Sequence, residues 1–126
     1  MTNITLLLVA LLVCHYFADF CLTMPMMIRA KADGKNPWPI ALHAAIHAVM
    51  MGACLLIYGI GCRRILVLMM IEFISHFVLD ISKAKISDKF PYWSNNQHKP
   101  YWILYGLDQL LHQMVVILIW QLAITE

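Results

Sequence analysis

Charge is scarce in this chain. Of 126 residues only 13% are charged, while 62% are hydrophobic. Soluble domains carry about 25% charged and about 45–50% apolar residues, so both figures miss in the same direction. Nine Met, four Trp and long apolar runs cannot all be hidden inside so small a soluble fold. The composition argues against a soluble enzyme, a disordered tail and a nucleic-acid reader, and no nucleic acid is expected as a partner. The four cysteines (Cys14, Cys21, Cys54 and Cys62) form no C-x-x-C pair and no zinc-finger spacing. They read as small hydrophobes and point to no redox compartment. No internal repeat, low-complexity tract or second domain is visible, and residues 1–126 read as a single integral membrane domain. The first apolar run also has no basic stretch ahead of it, since Met1, Thr2 and Asn3 carry no positive side chain. With no A-x-A site at the right distance, it reads as a retained span rather than a secretory signal.

Four stretches meet the roughly 20 apolar residues that a membrane-crossing helix requires. They run over about 3–28, 39–60, 64–83 and 102–125. Lipid leaves backbone groups no water to bond, so these are expected as helices in an all-α, four-helix transmembrane bundle. Pro25, in the last turns of the first span, is expected to kink or end it. Three connectors follow: a polar turn from Lys31 to Pro39, a tight turn from Gly59 to Arg63, and one long loop from Lys85 to Tyr101.

Side B, reached by the end of the first span, holds Arg29, Lys31, Lys35, Lys83, Lys85, Lys89 and Lys99. The opposite side A holds only Arg63 and Arg64. Seven against two places side B in the cytoplasm and both termini outside, the arrangement of a bacterial inner (cytoplasmic) membrane protein. Trp38, Phe90, Tyr92, Trp93, Tyr101 and Trp102 also gather at side B. They read as an interfacial aromatic belt; the sharper alternative is a lid formed by the long loop.

An acid at a helix centre in lipid costs roughly 2.5–3.5 kcal/mol, yet the spans carry nine ionisable groups. They are His15 and Asp19 in the first, His43 and His47 in the second, Glu72, His76 and Asp80 in the third, and Asp108 and His112 in the fourth. Every step within a helix is four residues, which stacks the groups on one face about 6 Å apart. Counted from side B, Asp19, His47, His76, Asp108 and His112 all fall roughly 10–15 Å deep, one intramembrane His/Asp/Glu layer. The other half of each helix is featureless, as in LLLVALLV and MVVILIW.

Nine nitrogen and oxygen donors at one level suit a divalent metal, with zinc the first choice and iron or manganese alternatives. One or two ions fit the number of donors. Taken singly, each His or acid could instead be an interhelical hydrogen bond. The reading assigns His15, Asp19, His43, His47, His76, Asp80 and His112 as metal ligands. It assigns Glu72 or Asp108 as a general base, and Lys83 and Arg29 as contacts to an anionic substrate. Topology alone also accounts for most of the basic residues at the mouth. Ala41, Ala45, Ala48 and Gly52 form a small-residue stripe suited to packing within the chain or to a homodimer.

The ordered motifs HYFADF, HAAIH, EFISHFVLD and DQLLH resemble an uncharacterised family of small bacterial and phage integral-membrane proteins, catalogued as a domain of unknown function. More loosely, the chain is similar to predicted membrane-bound metal-dependent hydrolases. The first resemblance spans His15 to His112. It implies a four-helix membrane fold whose metal-type site is carried by His15, Asp19, His43, His47, Glu72, His76, Asp80, Asp108 and His112. Thr23 stands where the pattern often has Gln. The functional expectation is a metal-dependent hydrolase at the cytoplasmic face, acting on a membrane lipid or another phosphoester-type substrate. The alternatives are a non-catalytic accessory protein stapled by its metal, and a metal or proton transporter. A haem protein fits less well, because no C-x-x-C-H is present.

Overall fold

The computed structural model describes residues 3–125. Among them are six helices: α1 (Asn3–Tyr16), α2 (Pro25–Asp33), α3 (Pro37–Ile57), α4 (Cys62–Lys89), α5 (Pro91–Ser94) and α6 (Lys99–Ile124). A π-helical turn, Phe17–Cys21, extends α1. Four helical segments are long and apolar enough to cross a membrane: Ile4–Cys21, Pro37–Ile57, Cys62–Lys89 and Lys99–Ile124. The protein is an all-α bundle of candidate membrane spans around a buried His/Asp/Glu cluster.

The four long helices close into a ring. Helix α1 packs on α3, α3 on α4, α4 on α6, and α6 back on α1. Each neighbour follows its predecessor through a reversal of the chain, so adjacent helices are antiparallel. The α3–α4 reversal is a Schellman turn: Gly59, at φ +79°, donates its N–H to Leu56, and Ile60 donates to Leu55. At that end Arg64 donates to the Ala123 carbonyl at 3.2 Å, and Trp120 Nε1 donates to the Ile4 carbonyl at 2.8 Å. Between them lies a core that includes Leu11, Met51, Leu55, Leu68, Val116 and Ile119. The outward faces are apolar as well, with Val67, Met70, Ile74, Leu110 and Met114 all exposed. A water-soluble monomer does not present so continuous an apolar exterior.

Three boundaries depart from expectation. The first span does not run to residue 28. A π bond from Leu22 N–H to the Phe17 carbonyl ends it at Cys21, and Thr23 Oγ1 donates to the freed carbonyls of Asp19 and Ala18. Met24 is extended, as the residue before a proline prefers. Of the two outcomes expected near Pro25, a kink or an end, the chain shows an end, four residues earlier at Cys21, and Pro25 opens α2, where at a first helical position its missing N–H costs nothing. The polar turn shrinks to Gly34–Asn36, because Lys31–Asp33 belong to α2 and Pro37 starts α3. The long loop shrinks to Phe90–His98 and contains α5, because α4 continues to Lys89 and α6 begins at Lys99.

Helix α2 folds back against α3 and α4. Ala30, Ile40 and Ala84 form a small core there, joined by Phe77 and Ile81. Gly34 ends α2 at φ +63°, a left-handed conformation that suits glycine. A Cβ there would also press on Ala84 and the Lys85 backbone at 3.2–3.3 Å. The small-residue stripe of α3 packs within the chain at Ala48 and Gly52, both buried, with Gly52 facing Met69 of α4.

Candidate metal centre

The i, i+4 stripes of all four spanning helices turn inward at the end of the bundle covered by α2. His43 and Asp80 are 0% exposed, and Glu72 and His76 1%. His15, His47, Asp108 and His112 are buried too, and the Asp19 carboxylate is nearly so. The helical step brings His15 Nε2 to 3.4 Å from Asp19 Oδ2, and sets His76 Nδ1 3.4 Å from Glu72 and its Nε2 3.5 Å from Asp80. Contacts between helices close the cluster. Asp19 Oδ1 lies 3.1 Å from His43 Nε2 and 3.4 Å from His47 Nε2, and His112 Nε2 is 3.9 Å from Asp80 Oδ1.

Three overlapping donor sets result, each with ligand atoms within 4.8 Å of one another: His15, His47, Glu72 and His76; Asp19, His43, His47 and His76; and His76, Asp80 and His112. Many of their atoms have no hydrogen-bond partner among the described residues. These include both ring nitrogens of His15 and of His76, Nε2 of His47 and of His112, and Oδ1 of Asp80. Buried lone pairs left without partners are expensive. A cation placed among them satisfies several at once, so the donors fit a divalent metal. His112 is oriented for such a role: its Nδ1 donates to the Asp108 carbonyl at 2.7 Å, so in the neutral ring Nε2, toward Asp80, carries the free lone pair.

The expected ligands His15, Asp19, His43, His47, His76, Asp80 and His112 all fall within these sets. They form the one buried layer expected, and within it two overlapping tiers can be told apart. His47 and His76, with ring centroids 3.8 Å apart, stand between the tiers. Glu72, expected as a base, is a member of the inner set beside His15. Asp108 belongs to no set and stands at the edge, where Lys83 donates to its Oδ2 at 3.0 Å.

A cavity of about 530 Å³ opens at that edge. Asp19, Asp108, Gln109, Lys31 and Lys83 are among its polar lining, and Phe20, Ile28, Tyr101 and Tyr105 among its apolar and aromatic walls. Ser94 of α5 lines it as well, so the connector read as an aromatic belt, with a lid as the alternative, borders the cavity at that residue. Lys83 also stands 4.9 Å from the centre of the Tyr105 ring. Arg29 does not reach the cavity. Once the chain breaks before Pro25, the inner face of α2 is Met27, Ala30 and Lys31, and Arg29 points outward.

Sequence reasoning missed Lys31 and Gln109. The Lys31 ammonium lies 3.0 Å from Asp80, 3.1 Å from His43 and 3.7 Å from Asp19. Pro25 at the first position of a helix and Gly34 just past its end would have marked α2, and with it the inward stripe of Met27, Ala30 and Lys31. Gln109 follows Asp108 directly and sets its amide 3.4 Å from Asp19.

A family described as Protein of unknown function (DUF3307) matches residues 7–126. The chain belongs to that family. The match covers every residue of the three donor sets and the cavity. No curated protein and no solved structure matches the chain.

Proposed function

We propose that this DUF3307 protein is a metal-dependent membrane hydrolase acting on a lipid or other phosphoester-type substrate at the cytoplasmic face. The observation that carries this reading is the meeting of a buried, unsatisfied donor cluster with a cavity bearing two lysines on apolar and aromatic walls. Lys83 suits a phosphate-like headgroup, Lys31 adds positive potential behind it, and Phe20 and Ile28 suit an apolar tail. The basic excess at this end supports a cavity on the inner side of a bacterial cytoplasmic membrane, with both termini outside.

His and carboxylate donors favour zinc, with iron or manganese next. Bound there, the ion supplies Lewis acidity and lowers the pKa of a water in its shell. Asp108 is the base: it borders the cavity, lies outside the donor sets, and its Oδ1 has no hydrogen-bond partner among the described residues. It takes a proton from the attacking water and returns it to the departing alcohol. Lys83 holds Asp108 in place and offsets negative charge gathering on the substrate. Gln109 orients Asp19 and Asp108 from between them.

A metal staple without catalysis is the competing reading, because the donors come from all four spanning helices. The cavity weighs against it, since a purely structural ion has no use for one. Transport draws less support: the donors end where the apolar core begins, and Tyr58 and Gln121 are sparse steps across the other half. The deciding measurement is hydrolysis of labelled anionic phospholipids by the purified, metal-loaded protein. Wild type turns over; Asp108→Asn keeps its ion and loses roughly 100-fold in rate, as expected of a general base. A wild type that binds metal but hydrolyses none of a broad lipid panel returns the staple to first place.

A further inference from the structure

The two tiers of the cluster differ in one respect. The inner tier, made by His15, Glu72 and one ring nitrogen each of His47 and His76, has no lysine or arginine paired with it among the described residues. The outer tier contains Lys31. Its ammonium touches Asp19, His43 and Asp80, three donors drawn from the two outer sets. His47 and His76 form the wall between the tiers: in each ring Nδ1 faces Glu72, at 3.8 and 3.4 Å. The Nε2 atoms face the other way, His47 toward Asp19 at 3.4 Å and His76 toward Asp80 at 3.5 Å.

We infer that Lys31 is the resident cation of the outer tier, and that the protein holds one divalent ion, in the inner set of His15, His47, Glu72 and His76. This rests on the metal-dependent reading above and extends it to stoichiometry and position. Charge agrees with geometry. Four carboxylates (Asp19, Glu72, Asp80 and Asp108) face two ammonium groups, Lys31 and Lys83. With neutral imidazoles two negative charges are left over, and one divalent ion cancels them. A second ion would leave the cluster doubly positive in a low-dielectric setting, where uncompensated charge is costly. The backbone that carries Lys31 is held at this place, because its neighbour Ala30 packs against Ile40 and Ala84. The ion stays within reach of the cavity, which ends on Asp19, and Asp19 contacts His15 and His47 of the inner set.

The experiment is zinc loading of the detergent-purified chain, removal of free zinc, and elemental analysis against protein concentration. Wild type is expected to hold one zinc per chain. Lys31→Met is expected to hold two, because it frees Asp19, His43 and Asp80. Lys83→Met removes the same charge but frees only Asp108, and is expected to stay at one. Glu72→Gln is expected to lose the ion and Asp80→Asn to keep it, and those two place the ion even if Lys31→Met does not fold. Two zinc ions in wild type, an unchanged count in Lys31→Met, or loss in Asp80→Asn with retention in Glu72→Gln each overturns the inference while leaving a metal-dependent hydrolase intact. No zinc in wild type overturns both.

Discussion

The two ends of the bundle share the same helices and the same neighbours, yet they are held together differently. At the α3–α4 turn the interior is Leu11, Met51, Leu55, Leu68, Val116 and Ile119, with Arg64 and Trp120 tying helix ends. At the α2 end imidazole and carboxylate fill much of the interior, beside a small apolar core of Ala30, Ile40 and Ala84. Lipid is as apolar as leucine, so the first end gains nothing from hiding its side chains and relies on packing contact. The second end carries donors that repel or go unsatisfied unless a cation joins them. One end therefore coheres by shape, and the other gathers buried negative charge that Lys31 and Lys83 offset in part and that a metal ion could offset further. The end that depends on charge is also the end that opens into a cavity.

Substitutions break that contrast in order of effect. His76→Ala strikes the polar end hardest, because His76 belongs to all three donor sets. It is expected to abolish metal retention in elemental analysis and to cut hydrolysis by about 100-fold or more, beyond what loss of an outer-shell partner costs. Leu55→Ala does the reverse. It leaves a void in the packed end and is expected to cost about 2–4 kcal/mol in detergent unfolding, with metal content unchanged. If it also releases the ion, the two ends are not independent. Lys83→Met sharpens the picture within the polar end: about a tenfold loss in rate toward an anionic substrate, with little change toward a neutral analogue. Arg29→Gln is the smallest, within about 0.5 kcal/mol in stability and under twofold in rate, because its side chain faces outward. A large loss of rate there would return Arg29 to the substrate contacts.

Much of the polar end is legible in the amino-acid sequence. Nine ionisable groups at four-residue steps in apolar runs put a polar face on each helix, and their positions along the spans give a common depth. Helical geometry is local, so spacing along the chain converts directly into faces and heights. The break at Leu22–Met24 is harder to see. It needs the Thr23 hydroxyl on two carbonyls and a π turn, and neither leaves a hydrophobic period. Treating the first span as continuous puts Arg29 at the mouth and leaves Lys31 as one of many positive charges.

Composition and spacing alone determined that the chain is helical, apolar on its outside, and polar along one inward stripe per helix. Only the assembled bundle decided which ring nitrogen faces which carboxylate, that the donors split into two tiers, and that α2 returns to set an ammonium in one of them. Those choices depend on how each helix rotates about its axis and on where a broken helix packs. Contacts between residues far apart in the chain set both.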